Sequence, residues 1–141
     1  MKTLNTLIRL HKRTLDELRR NMASLEGQKD KLHQSIKSLQ NELEKEVKLA
    51  GLQAEMANFF GEFAKRIRGR QDMLHGEIKN IDVKIAELNK EIFAEFTELK
   101  KYEIARENLK QKMAEEEKRK ETLMLDEIAA QQFQRRTTEG G

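Results

Sequence analysis

The chain contains no cysteine and no proline, and it has few aromatic residues. Without cysteine it cannot form a disulfide or a thiolate metal site, which fits a reducing compartment. Without proline, nothing along its 141 residues forces a helix to break. Aromatic residues make up 5% of the sequence and charged residues 38%, which is typical of a coiled coil and not of a globular domain with a broad core. We therefore predict a single helical domain.

Long apolar runs are also missing. No stretch approaches the roughly 20 apolar residues of a membrane helix. The first residues, Met1 to Asn5, lack the apolar segment of a signal peptide. We therefore expect a soluble cytoplasmic protein that meets a membrane only through its partners.

Motifs of known enzymes are absent as well. The sequence has no phosphate-binding glycine loop, no nucleophile elbow and no zinc-binding H-E-x-x-H motif. Its histidines, His11, His33 and His75, lie far apart, and none has a neighbour at ligand spacing. The carboxylates of residues 115–117 would lie on an exposed helix without a concave, water-excluding site. We predict no enzymatic activity, no metal site and no cofactor.

The net charge is only +3, but it is unevenly distributed. Residues 1–37 hold nine Lys and Arg against four Asp and Glu, and four further basic residues fall within residues 65–72. Such runs are most often the solvated flank of a coiled coil. Since no aromatic stacking platform accompanies them, we do not expect nucleic-acid binding. A basic amino-terminal end would instead suit an acidic protein partner.

Apolar residues recur in two long heptad patterns, with steps of four and three. We call the first pattern seam 1, and ten of its twelve positions are apolar: Leu4, Ile8, His11, Leu15, Leu18, Met22, Leu25, Lys29, Leu32, Ile36, Leu39 and Leu43. Seam 2 comprises Leu74, Ile78, Ile81, Ile85, Leu88, Ile92, Glu95, Leu99, Tyr102, Arg106, Leu109 and Met113. Because such a seam needs a partner helix, two seams in one chain predict an all-α antiparallel coiled-coil hairpin.

The spacing predicts helix 1 from about Lys2 to Leu49. Helix 2 is predicted to include at least residues 72–130, with a frayed end over residues 131–141. Gly51 and Gly61 lie between the seams and are the candidate turn positions.

Two registers remain open, because several alignments of the seams bring apolar residues together. In one, the numbers of facing residues add to 124; the turn is then near Gly61, and Lys29 faces Glu95. In the other they add to 103, the turn is near Gly51, and Lys29 faces Leu74. The numbers of mismatched pairs in the two registers are nearly equal.

Half of the phenylalanines lie close together, at Phe59, Phe60 and Phe63. These three residues span a wide arc of a helix, so only some of them can face the partner helix. They either close the hairpin by packing at its tip or leave an aromatic patch exposed for a partner.

Three stretches of the sequence occur in an informative order. They are Leu4-x-x-Leu7-Ile8-Arg9-Leu10-His11-Lys12 with Leu15-Asp16-Glu17-x-x-Arg20, then Phe96-x-Glu98-Leu99-Lys100-Lys101-Tyr102-Glu103, and finally Leu125-Asp126-Glu127-Ile128-Ala129 before Arg135-Arg136. Together they resemble the FliJ family of flagellar export proteins over nearly the whole chain.

The resemblance implies a hairpin over residues 1–136 in which helix 2 is longer than helix 1. It also implies a turn near residues 49–55 and a flexible tail at 137–141. The implied function is that of a non-enzymatic component of the bacterial flagellar type III export apparatus, needed for motility and located in the cytoplasm at the base of the flagellum. Its implied partners are the hexameric export ATPase, the cytoplasmic domain of the export-gate membrane protein, and substrate chaperones that it escorts.

The resemblance further implies two binding sites. The export-gate site would comprise Leu39, Phe60, Phe63 and Ile67. A turn near Gly51 would place Leu39 and Phe63 opposite each other on the two helices. The ATPase site would comprise the basic residues Arg9, Lys12 and Arg13 together with Leu125 and Ile128. The alternative, from another class of protein, is a self-associating structural coiled-coil scaffold unrelated to export.

Overall fold

A computed structural model describes residues 1–51 and 57–139, without the side chains of residues 50, 57, 58 and 139. It contains two α-helices, α1 (Lys2–Ala50) and α2 (Ala57–Glu139). With 49 residues in α1 and 83 in α2, the second helix is much the longer. The helices pack against each other as a hairpin, which confirms the predicted fold class.

Burial follows the heptad pattern. Every position of seam 1 is buried or half-buried, and so is every position of seam 2 from Leu74 to Leu109. The lowest exposures include 2% at Ile8 and 3% at Leu15 in α1, and 5% at Leu99 in α2. Almost all other side chains remain exposed, as expected when a narrow apolar seam is the main stabilising contact. Within the described residues, neither helix has an apolar stretch that could span a bilayer.

The chain divides into two compact units. The terminal unit comprises Met1–Lys12 and Thr97–Gly141, and the central unit comprises Arg13–Phe96. Each unit contains one part of α1 and one part of α2.

Polar contacts define the register in each unit. In the central unit, Lys29 Nζ lies 2.7 Å from Asp82 Oδ1. In the terminal unit, Arg106 Nη1 donates to Asn5 Oδ1 at 3.2 Å. The residue numbers add to 111 in both pairs. Both predicted registers, in which facing numbers add to 103 or to 124, are therefore wrong. Each residue of α1 lies opposite a residue of α2 about seven positions later than the register of 103 predicts.

The register is explained by polar residues that interrupt the apolar seams. Lys29 occupies a seam position, and the observed register gives its ammonium group the carboxylate of Asp82. Gln71 extends seam 2 towards the turn, and its amide donates to Ile36 O at 3.4 Å and to Gln40 Oε1 at 3.2 Å. Because heptads allow slippage by seven residues, such polar pairs can select one register from several apolar alternatives.

The two glycines proposed for the turn differ in position. Gly51 follows α1 directly, and its N–H donates to Val47 O at 3.0 Å. Gly61 lies inside α2, with nothing within 4 Å of the place a Cβ would occupy. A turn near Gly61 is therefore wrong. The predicted turn at residues 49–55 falls in part on residues 52–56, which lie outside the described residues.

Helix α2 extends further than the sequence pattern indicated. It continues to Glu139, through residues for which fraying or a flexible tail was expected. Near its end the hydroxyls of Thr137 and Thr138 donate to the carbonyls of Phe133 and Gln134, each at 2.7 Å. These bonds let two threonines continue the helix, because each hydroxyl is satisfied by a carbonyl four residues back.

Candidate partner-binding surfaces

The residues assigned to the export gate lie together in the central unit. Leu43, Ala64 and Ile67 form a buried cluster, against which Leu39, Phe60 and Phe63 pack. We call these six residues the turn-proximal cluster. The four predicted gate residues, Leu39, Phe60, Phe63 and Ile67, all belong to it.

The turn-proximal cluster is first of all interhelix packing. Ile67 is only 7% exposed, so its side chain is largely unavailable to a partner. Leu39, Phe60 and Phe63 are half-buried and present one edge to solvent. Phe60, Ala64 and Ile67 follow the three- and four-residue steps of the seam, which directs them towards α1. A partner would therefore meet the edges of this cluster and not its centre.

Phe59 is the exposed aromatic residue beside the cluster, at 58% exposure. It lies one position before Phe60, which turns it about 100° away from the seam. It is not among the predicted site residues, although its offset from the heptad pattern is visible in the sequence. The basic residues that follow it are all exposed: Lys65, Arg66, Arg68 and Arg70. This surface thus combines apolar edges with positive charge, which suits a protein partner with acidic groups.

The residues assigned to the ATPase form two separate groups. Arg9 and Lys12 are exposed on α1 in the terminal unit, while the exposed Arg13 is the first residue of the central unit. Leu125 and Ile128 lie on α2 and are 66% and 46% exposed.

The helix-to-helix contact in the terminal unit ends well before Leu125. Ile8 is buried there, His11 stacks on Tyr102 with ring centroids 5.2 Å apart, and Leu109 is the last half-buried residue of α2. Leu125 lies 16 residues beyond Leu109, about 24 Å along a helix. Within the terminal unit, Arg9 and Lys12 therefore lie apart from Leu125 and Ile128.

Beyond Leu109, α2 has no helix beside it within the described residues. All side chains from Lys110 to Thr138 are exposed. We call residues 110–138 the free segment of α2. Six large apolar side chains are exposed on it: Met113, Leu123, Met124, Leu125, Ile128 and Phe133. Only Leu125 and Ile128 of these were predicted as site residues, and they belong to the stretch Leu125–Ala129 that carries the family resemblance.

The described residues contain no buried polar or charged side chain. No three of their His, Cys, Asp or Glu side chains lie close enough together to hold a metal ion. His11, which the sequence places on seam 1, is half-buried against Tyr102. The candidate binding surfaces are therefore exposed apolar and charged patches, which are suited to contacts with other proteins.

The comparisons with known proteins agree with this picture. A model of the flagellar FliJ protein family matches residues 1–138. No curated protein and no solved structure matches the chain. The family match covers both helices and both candidate surfaces. The chain therefore belongs to the FliJ family and has a role in flagellar protein export.

Proposed function

We propose that the chain is a non-enzymatic stalk of the flagellar export apparatus, acting in the cytoplasm at the base of the flagellum. The terminal unit binds the hexameric export ATPase, and the turn-proximal cluster binds the cytoplasmic domain of the export gate. Escort of substrate chaperones is part of the same proposal. The observation that supports it most is the free segment of α2, in which every side chain of residues 110–138 is exposed and several are large and apolar.

The free segment is suited to entering the ATPase ring. Large exposed apolar residues on a helix are typical anchors for a partner surface. Leu125 and Ile128 are three residues apart and therefore lie on one face. A single helix also presents different side chains in different directions, so it contacts the subunits of a six-fold ring unequally. Unequal contacts would bias the nucleotide states of those subunits, and the exposed Arg9, Lys12 and Arg13 would attract acidic loops of the ring.

Replacing the apolar pair by Leu125→Asp with Ile128→Asp should lower the affinity for the ATPase. Losing two anchors of an interface costs more than about 2 kcal/mol, or roughly a thirtyfold increase in Kd. The measurement is the stimulation of ATP hydrolysis by purified export ATPase over a concentration series of the chain. Val83→Asp is the matched control, because Val83 is 58% exposed in the central unit.

The basic group requires its own variant. Charge reversal of Arg9, Lys12 and Arg13 to Glu should slow association and flatten the dependence of stimulation on salt. ATPase stimulation unchanged by either variant would contradict the proposed binding of the terminal unit.

Phe63→Ala should weaken binding of the export gate by several-fold while leaving the chain helical. Phe63 is half-buried, so its truncation removes apolar contact from the edge of the turn-proximal cluster. Ile67→Ala should also weaken binding, but because Ile67 is buried it should lower the melting temperature as well. The measurement is a pull-down with the purified cytoplasmic domain of the gate, accompanied by circular dichroism.

Phe93→Ala is the matched control for this experiment. Phe93 is 72% exposed and lies in the central unit, outside the cluster. Gate binding that survives Phe63→Ala, or that falls equally with Phe93→Ala, would reject the assignment to the turn-proximal cluster.

A further inference from the structure

The free segment of α2 contains a heptad pattern of its own, displaced from seam 2. At steps of three and four, its positions are Ala114, Glu117, Glu121, Met124, Ile128, Gln131, Arg135 and Thr138. Seam 2 would continue through Glu116, Lys120, Leu123, Glu127 and Ala130, of which three are charged. The displaced pattern has an apolar centre and polar ends, and every one of its positions is exposed. It is an exposed face at heptad spacing whose apolar members are Ala114, Met124 and Ile128.

The pattern is complementary to itself when it is reversed. In an antiparallel pair of two copies in which the facing residue numbers add to 252, Met124 faces Ile128 of the other copy. The same alignment sets Glu121 against Gln131 and Glu117 against Arg135, and it does so twice because the pair is two-fold symmetric. The charged and amide residues of the face thereby meet polar partners, and Thr138 faces the small Ala114. A parallel pair would set Glu117 against Glu117 and Arg135 against Arg135.

Side chains next to the centre of this face fit the same arrangement. The Leu125 side chains of the two copies would meet beside the Met124–Ile128 layers, adding apolar contact. Glu127 of each copy would lie near the other Glu127, a cost that solvent reduces. Glu117 and Arg135 have no ion-pair partner among the described residues, so pairing would not break an existing contact.

The terminal unit leaves room for such a partner. Leu109 is the last half-buried residue of α2, and Met113 is already 54% exposed. In the antiparallel alignment, the end of α2 from the second copy would lie opposite Met113, so the second helix would begin to cover α2 just beyond the contact with α1. The contact of α2 with α1 and its contact with the second copy therefore use different stretches of the helix.

We propose that residues 114–138 of α2 bind the same segment of a second copy of the chain, antiparallel, in a weak and reversible homodimer. Specificity comes from the two Glu117–Arg135 pairs, and the apolar centre comes from Met124, Leu125 and Ile128 of both copies. The proposal does not depend on the proposed function. If both hold, self-pairing covers Leu125 and Ile128, so dimer and ATPase-bound monomer exclude each other and their balance follows protein concentration.

Sedimentation equilibrium of the full chain over a concentration series tests the proposal, with charge-swap variants. Glu117→Lys sets a lysine against Arg135, and Arg135→Glu sets a second glutamate against Glu117, so each variant creates two like-charge pairs in the dimer. Each variant alone should raise the dissociation constant tenfold or more. An equimolar mixture of the two should restore dimers, because in the mixed dimer the introduced lysine faces the introduced glutamate and the native Arg135 faces the native Glu117, so both pairs are attractive. Both positions are exposed, so circular dichroism should be unchanged.

Cross-linking supplies the orientation, since the chain has no native cysteine. In a mixture of Ala114→Cys and Thr138→Cys chains, the antiparallel dimer should link one variant to the other, whereas a parallel dimer would link each variant to itself. A chain that stays monomeric at high concentration overturns the proposal. Dimers that are unaffected by Glu117→Lys and Arg135→Glu overturn it too, as do like-to-like cross-links.

Discussion

Replacing Ile8 by alanine should release the first turns of α1 from α2 in the terminal unit. Ile8 is 2% exposed, among the most deeply buried side chains of the described residues. It lies between Asn5 and His11, whose side chains contact Arg106 and Tyr102. Truncating a buried isoleucine to alanine costs about 2 to 5 kcal/mol. Because this end of the helix pair has only a narrow seam, that loss is enough to open it locally without unfolding the whole chain.

Hydrogen exchange measures this effect directly. In Ile8→Ala, amides of residues 5–12 and 97–109 should lose protection, while those of the central unit should keep theirs. Leu10→Ala is the matched control: Leu10 is two positions away, on the same helix, but 51% exposed. Its truncation should change stability by less than about 0.5 kcal/mol. Equal protection in Ile8→Ala and Leu10→Ala would show that the terminal unit is not held together by the seam.

The burial pattern of both helices could be predicted from sequence alone. Each of the twelve seam 1 positions is buried or half-buried, including the two that are polar, His11 and Lys29. The reason is that side-chain direction along a helix depends only on spacing, and no proline interrupts either helix. Met113 was predicted on seam 2 but is 54% exposed. It lies beyond Leu109, where the contact with α1 ends.

The register could not be predicted because it depends on residues outside the seams. For facing seam positions alone, registers seven residues apart are nearly equivalent. The polar partners that distinguish them, Asp82 for Lys29, Gln40 for Gln71 and Asn5 for Arg106, are flanking residues. Gly61 was equally ambiguous. A glycine permits a turn, but in a helix it costs only about 1 kcal/mol relative to alanine.

The two candidate sites also differ in how far the sequence predicts them. Leu39, Phe60 and Ile67 meet because they follow the seams near the helix ends, which spacing predicts, and Phe63 packs beside them from the position before Ala64. The ATPase residues fall into two groups because nothing in their spacing links the start of α1 to a segment of α2 beyond its contact. The heptad pattern on the free segment was also visible in the sequence, but its exposure becomes evident only once the extent of the helix pair is known.

The central claim is that α1 and α2 pair about one heptad away from the alignment in which facing residue numbers add to 103. It predicts which exposed positions lie opposite each other in the central unit. Lys29 contacts Asp82. In the alignment with facing numbers near 103, seven residues away, His75 would lie opposite Lys29. In the alignment with facing numbers near 124, Phe96 would lie opposite Lys29. Positions seven residues apart on a helix differ by about 10 Å, beyond the reach of a short bifunctional thiol reagent.

Three double variants of the cysteine-free chain therefore decide the register. Lys29→Cys is combined in turn with Asp82→Cys, His75→Cys or Phe96→Cys, and intramolecular cross-linking is measured by mass spectrometry at low protein concentration. The described register predicts near-complete cross-linking with Asp82→Cys and almost none with the other two. Efficient cross-linking of Lys29→Cys to His75→Cys or to Phe96→Cys, with none to Asp82→Cys, would contradict it.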